Sequence, residues 1–185
     1  MKFTVNGAGE VEIRRDGNQL VLVEARPHAG WEIEIEDEEN GDGSADEVED
    51  DDEEGHTEED ESAIEVTFSQ GDREVEFEAA IVDGRVAIEV EETWHDAAAG
   101  TFTVGEAGTV EVRRDGDRLI LVGVIANEGW DFEAEREEVD DEATEEEVEV
   151  TFTRDDREVE FEAMIENGEL EIEIETKWYV DEGRA

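Results

Sequence analysis

The chain has no cysteine, two lysines, three serines and no apolar run near the roughly 18 residues needed to span a bilayer as a helix. Without cysteine a disulfide scaffold is impossible and a structural zinc site is excluded in practice. Serine occurs only at Ser44, Ser62 and Ser69, and neither a G-x-S-x-G elbow nor a phosphate-binding glycine loop is present. Basic residues number 14 against 62 acids, so the formal net charge is -48. That balance excludes the electrostatic footprint of direct nucleic-acid binding and the attraction to anionic headgroups that membrane association requires. The first residues, MKFTVNGAGE, lack the apolar core of a signal peptide, and a cytoplasmic location is expected.

High charge with few aromatics ordinarily marks disorder. Here the acids alternate with branched apolar residues instead of replacing them. Sixteen acids and no base fall in 37–61, yet the other 160 residues still carry 46 acids against 14 bases, so the acidity is global. A surface dense in Asp and Glu and poor in Lys resembles those of proteins from extreme halophiles. At about 1 M salt the Debye length falls to about 3 Å, which makes such a surface tolerable there and self-repelling in dilute buffer. Diffuse binding of potassium or other cations is expected.

The sequence also says nearly the same thing twice. Val11–Gly17 (VEIRRDG) returns as Val110–Gly116 (VEVRRDG), Gly30-Trp31 as Gly129-Trp130, and Arg73–Ala79 (REVEFEA) unchanged as Arg157–Ala163. The offset is 99 residues up to Trp31 and 84 from Phe68 onward, so the first copy holds fifteen extra residues within the acidic tract, expected to be a disordered insertion at a hairpin tip.

The hydrophobic period is two. Trp31, Ile33 and Ile35 alternate with Glu32, Glu34 and Glu36, and the same pattern marks 64–68, 75–81, 86–90, 148–152, 159–165 and 170–174. Leu20–Val23 and Leu119–Ile125 are instead apolar at consecutive positions, which predicts strands covered on both faces. Asp16-Gly17, Asp83-Gly84, Asp115-Gly116 and Asn167-Gly168 predict tight type I′ turns, with weaker turns at 70–73 and 154–157. The expected fold is all-β: two tandem antiparallel meander domains of about six strands each, small sandwiches or partly open barrels. The first β repeat spans 1–95 with the insertion at 37–61, and a short linker over 96–101 lets the copies pack as a pseudo-dimer. The second repeat spans 102–180, with a tail over 181–185. One short helix is conceivable, over 140–147.

Few residues offer chemistry. Glu36, Glu38, Asn40, Gly41 and Glu47 fall at positions 1, 3, 5, 6 and 12 of an EF-hand-like spacing, making Glu36, Glu38, Asn40 and Glu47 candidate metal ligands. Their strand-like flanks and the density of acids around them favour diffuse cation condensation instead. Glu74, Glu76 and Glu78 lie about 6.6 to 6.8 Å apart on one strand face, within reach of a glycosidase carboxylate pair, but a solvated glutamate face has the same spacing and lacks the apolar pocket that raises one pKa. His28, His56 and His95 show no partner pattern; the counterparts of His28 and His95 are Asn127 and Tyr179. Trp31, Trp94, Trp130 and Trp178 form two equivalent pairs, expected in the cores, and Arg14-Arg15 and Arg113-Arg114 are expected to pair with nearby glutamates. No cofactor is implied. The reading is a non-enzymatic, halophilic, acidic tandem β protein with an interaction or scaffold role and an unknown protein partner. The alternatives are a divalent-cation-binding protein acting through the acidic loop and a DNA mimic that binds a basic partner.

Overall fold

The computed structural model describes residues 1–36, 63–116, 118–136 and 147–180. The acidic tract, the conceivable helix before residue 147 and the tail over 181–185 lie outside the described residues. The chain is all-β and antiparallel. Its first half contains β1 (Lys2–Val5), β2 (Gly9–Asp16), β3 (Gln19–Pro27), β4 (Glu32–Glu36), β5 (Ile64–Gln70), β6 (Arg73–Val82) and β7 (Arg85–Trp94). The second repeats the order with β8 (Thr101–Val104), β9 (Gly108–Asp115), β10 (Arg118–Ala126), β11 (Asp131–Arg136), β12 (Val148–Arg154), β13 (Arg157–Glu166) and β14 (Glu169–Val180). Among the described residues each half thus shows seven strands, not six. Asn6 and Gly7 take positive φ (35° and 76°) and the Ala8 N–H donates to Val5 O at 2.7 Å, so a tight turn makes β1 and β2 two strands of a hairpin. Among the described residues no helix is long and apolar enough to cross a membrane.

Consecutive strands pair, as a meander requires. β1-β2-β3 and β8-β9-β10 form two three-stranded sheets; the remaining eight strands form one sheet in the order β11-β12-β13-β14-β7-β6-β5-β4. No barrel closes. Each small sheet lies over its own half of the large one, β3 against β5 and β6 and β10 against β12 and β13, giving an open sandwich. Core-facing residues alternate as the sequence dictates: Val11, Ile13, Phe68, Phe77 and Ile88 fill one cluster, and Val110, Val112, Phe152, Phe161 and Ile172 the other. Burying one such side chain contributes about 1.5 to 3 kcal/mol.

Two glycines let the layers approach. A Cβ on Gly9 would sit 2.4 Å from Phe68 Cε1 and 2.7 Å from Arg26 O; one on Gly108 would sit 2.1 Å from Ile125 O.

The halves meet through β7 and β14, antiparallel, with Glu91 opposite Glu175. Since those two residues occupy equivalent places, the pairing is reciprocal, and the strand ends cross over. Trp94 of the first half packs on the second half's core, its ring 6.0 Å from Phe102. Trp178 of the second half packs on the first half's core, 6.3 Å from Phe3.

Two expectations need correction. Leu20–Val23 and Leu119–Ile125 are not covered on both faces: Val23 is 52% exposed, Val122 50% and Ile125 69%. β3 and β10 are edge strands, and each carries a register shift that leaves Val23 and Val122 as the extra residue. The consecutive apolar run records a bulge, which flips side-chain parity. The turns differ too. Asp83-Gly84 and Asn167-Gly168 have positive φ at both positions, as type I′ demands. Asp16, however, is a strand residue paired with Gln19, and Gly17 (φ 70°) opens the two-residue loop alone, in the manner of type II′.

Candidate functional site

On each strand of the large sheet the residues between the core-facing ones turn outward, away from the small sheets. Its central row reads Glu34, Thr67, Glu76, Glu91, Glu175, Glu160, Thr151, Glu133 across all eight strands. The row is the same from either end, because β7 and β14 pair reciprocally at its middle. Burial, and after it crowding, raises several carboxyls of this face above their ordinary value near 4.5. Glu162 is pushed up to about 7, first by burial and then by Glu147, Glu173, Glu160 and Glu149. Glu89 also reaches about 7, through burial and then a hydrogen bond with Glu175. Glu76, Glu160 and Glu173 move up for the same leading cause, burial. Lys177 bridges the seam between halves, contacting Glu175 closely and Glu89 at 3.7 Å. Among the described residues no group of three or more His, Cys, Asp or Glu is arranged to hold a metal.

The inner face carries the sites that sequence reasoning missed. Glu92 falls on the core-facing parity of β7 after Val86, Ile88 and Val90, and is 6% exposed. An isolated carboxylate there would be prohibitive. It is held by Arg73 Nη2 at 2.7 Å, by Asn6 Nδ2 at 3.1 Å, and by a hydrogen bond that Trp94 Nε1 donates. Arg73 also donates to Asn6 O at 3.0 Å and lies 5.1 Å from the ring centres of both Trp31 and Trp94. The readable signal was a glutamate at a position whose period demanded an apolar residue.

The second half builds the same frame with different contents. Arg157 and Trp178 stand where Arg73 and Trp94 do, but Thr176 replaces Glu92 and Gly105 replaces Asn6. Arg157 lies 5.2 Å over Trp178 and pairs with the exposed Glu106 at 3.0 Å. Glu106 also contacts Arg154, which covers Trp130 at 4.5 Å.

The residues singled out from sequence scatter over this frame. Glu36 ends β4, opposite Glu65, while Glu38, Asn40 and Glu47 lie outside the described residues, as does His56. His28 and His95 are exposed, with Nδ1 2.8 Å from Gly7 O and 3.1 Å from Glu171 respectively. Trp130 is buried as expected, but Trp31 is only half-buried under Arg73, and Trp94 and Trp178 serve the opposite half's core. In the arginine pairs the partners found for Arg15 and Arg114 are backbone carbonyls. Arg15 donates to Gly17 O (2.8 Å) and Gly84 O (2.9 Å), and Arg114 to Gly116 O and Gly168 O at the same distances, so each rivets a hairpin of the small sheet to one of the large sheet.

The rims of the halves differ as well. Near the end of β3 stand the ion-paired Glu24 and Arg26, then Pro27; the same places in β10 hold Gly123, Ile125 and Ala126. Phe132 of the neighbouring β11 is 45% exposed. Compared with known protein families, with curated proteins and with solved structures, the chain matches none.

Proposed function

We propose that this is a non-catalytic interaction protein of a salt-rich cytoplasm, built by duplication of a seven-stranded unit, whose protein partner adds an extended segment to the edge of β10. The observation that carries the reading is the exposure of Val122 and Ile125 on the edge strand β10 in a chain that is 41% charged. An edge strand presents unpaired N–H and C=O groups, and proteins commonly blunt such edges with charge or proline. β3 has both devices near its end; β10 keeps only its bulge and Arg118. Strand addition would draw affinity from the backbone and specificity from alternate side chains. Molar salt supports this mode over an electrostatic one, since a Debye length of about 3 Å leaves acidic faces unable to steer a partner from a distance.

The test is Ile125→Lys. As a surface change it should alter stability by no more than about 0.5 kcal/mol. In molar KCl, cross-linking from a native extract should recover one protein with the wild type and lose it with the variant. Equal recovery by both overturns the docking edge, and loss of self-association alone would assign the edge to a second copy of the chain. The salt requirement is checked separately. Opposed glutamates such as Glu76 and Glu91 destabilise a sheet by about 0.2 to 1 kcal/mol per pair, so circular dichroism should show strand content growing as KCl rises from millimolar to molar. A fully folded signal at low salt would remove the halophilic reading.

A second reading, the DNA mimic, draws on the palindromic glutamate row. Binding to a basic nucleic-acid-binding domain at low salt, lost when Glu76, Glu91, Glu160 and Glu175 become glutamine, would favour it.

A further inference from the structure

The two halves build one frame and fill it differently. In the first, the Glu92 carboxylate occupies the space between Arg73, Asn6 and Trp94. In the second, exchange of that glutamate for Thr176 and of Asn6 for Gly105 accompanies a cavity of about 380 Å³, lined by Lys2, Phe3, Trp130, Arg157, Thr176 and Trp178 among others. Its volume lies within the range of small-molecule sites, roughly 300 to 1,000 Å³. Two of the lining residues carry unsatisfied donors, Arg157 Nε and Trp130 Nε1; because Arg73 Nε is unpaired in the filled half as well, the weight falls on Trp130 Nε1, on a residue only 6% exposed. Buried donors left unpaired cost free energy, and a built site is one place where they persist.

We propose that this cavity binds a small carboxylic acid with an apolar body, whose carboxylate takes the place that Glu92 fills in the first half. The first half supplies the template: a carboxylate bonded by guanidinium and indole N–H on the core side of β7. The second half keeps the guanidinium and the indole and lacks the internal carboxylate. The planar guanidinium fork suits a carboxylate, while Phe3, Val90, Val159 and the indoles offer an apolar wall to the rest of the ligand. Lys2 also lines the cavity, its ammonium paired with Glu10 at 2.9 Å. A cationic ligand is disfavoured, because guanidinium groups already lie over Trp130 and Trp178. A phosphate, with more charge, would be opposed by Glu106 and by the net charge of -48. Glu106 is the one acid of the lining. Its side chain is 73% exposed, and a surface pair of this kind is weak enough to share or release Arg157 when the ligand enters.

The test is isothermal titration in molar KCl with benzoate, and with benzamide as its neutral isostere. Benzoate should bind saturably at one site and shift the indole N–H resonances of Trp178, the counterpart of Trp94, and of Trp130, with benzamide roughly tenfold weaker or more, the loss expected for a charge-assisted hydrogen bond. Thr176→Glu, which installs the first half's carboxylate, should abolish binding. Glu106→Gln, an exposed change that leaves the fold intact, should tighten it by removing the internal competitor. Absence of saturable benzoate binding, equal affinity for benzamide, or unchanged affinity in Thr176→Glu overturns the proposal. Should Thr176→Glu fail to fold, unchanged affinity in Glu106→Gln overturns it instead.

Discussion

The first half is closed where the second is open. At the inner site, Arg73 is pinned by a buried glutamate, whereas Arg157 reaches outward to an exposed one beside a cavity. At the rim, β3 approaches its end with an ion pair and a proline, whereas β10 offers Ile125. Both differences arise from substitutions on a shared backbone plan: Glu92 against Thr176, Asn6 against Gly105, Arg26 against Ile125. The frame fixes where a guanidinium and an indole stand, and a single side chain decides whether the space between them is filled from within.

The largest expected contrast lies at the tryptophans. Trp130→Ala should cost about 3 to 5 kcal/mol, the range for deleting a fully buried aromatic, and Trp31→Ala clearly less, because its ring is only half-buried. Urea unfolding in molar KCl measures both. Since β7 and β14 join the halves in one sheet, each variant should unfold in a single transition; two transitions would mean that the halves are energetically separate.

Next comes Glu92→Thr, which gives the first half the second half's residue. Removing one partner of a fully buried pair costs about 3 to 5 kcal/mol, but the Arg73 side chain is 31% exposed, so about 2 kcal/mol is expected. A neutral result would mean that Arg73 finds another partner as readily as Arg157 does.

The smallest effect is a pH dependence to which each half contributes. Glu89 and Glu162 titrate near 7 in the folded chain, against an ordinary value near 4.5. The folded state therefore holds these protons more tightly than the unfolded one. Their stabilising contribution is complete below about 4.5 and is lost as pH rises through about 7. Both groups are only partly buried, so solvent and salt screening limit each to no more than about 1 kcal/mol. The unfolding midpoint should be higher near pH 5.5 than near pH 8.5, as an order-of-magnitude guide, and Glu89→Gln and Glu162→Gln should each flatten part of that slope.

Most of the fold was legible in the sequence because period-two alternation states which face each residue takes, and the Asp-Gly and Asn-Gly pairs mark where strands reverse. The bulges at Val23 and Val122 were not, since a bulge writes the same consecutive apolar run as a strand covered on both faces. The joining of the halves was unreadable for a different reason. Strand order across a sheet depends on pairing between distant segments, and β7 and β14 alternate like any other strands. Of the inner site, Glu92 was readable in principle as a charge on an apolar parity, whereas Arg73 and Arg157 passed as members of a charged surface. The cavity beside Thr176 could not be seen in a threonine.

The crossing of the strand ends has a consequence for how the chain is made. Phe3 and Phe77 are among the earlier residues synthesised, yet the indole that packs against Phe3 belongs to Trp178, on the last strand described. The first core is thus left without part of its cover until nearly every strand has emerged from the ribosome. The last part of that cover is added when β14 docks on β7, so the late strand acts as a latch on a core that β1 to β7 otherwise build.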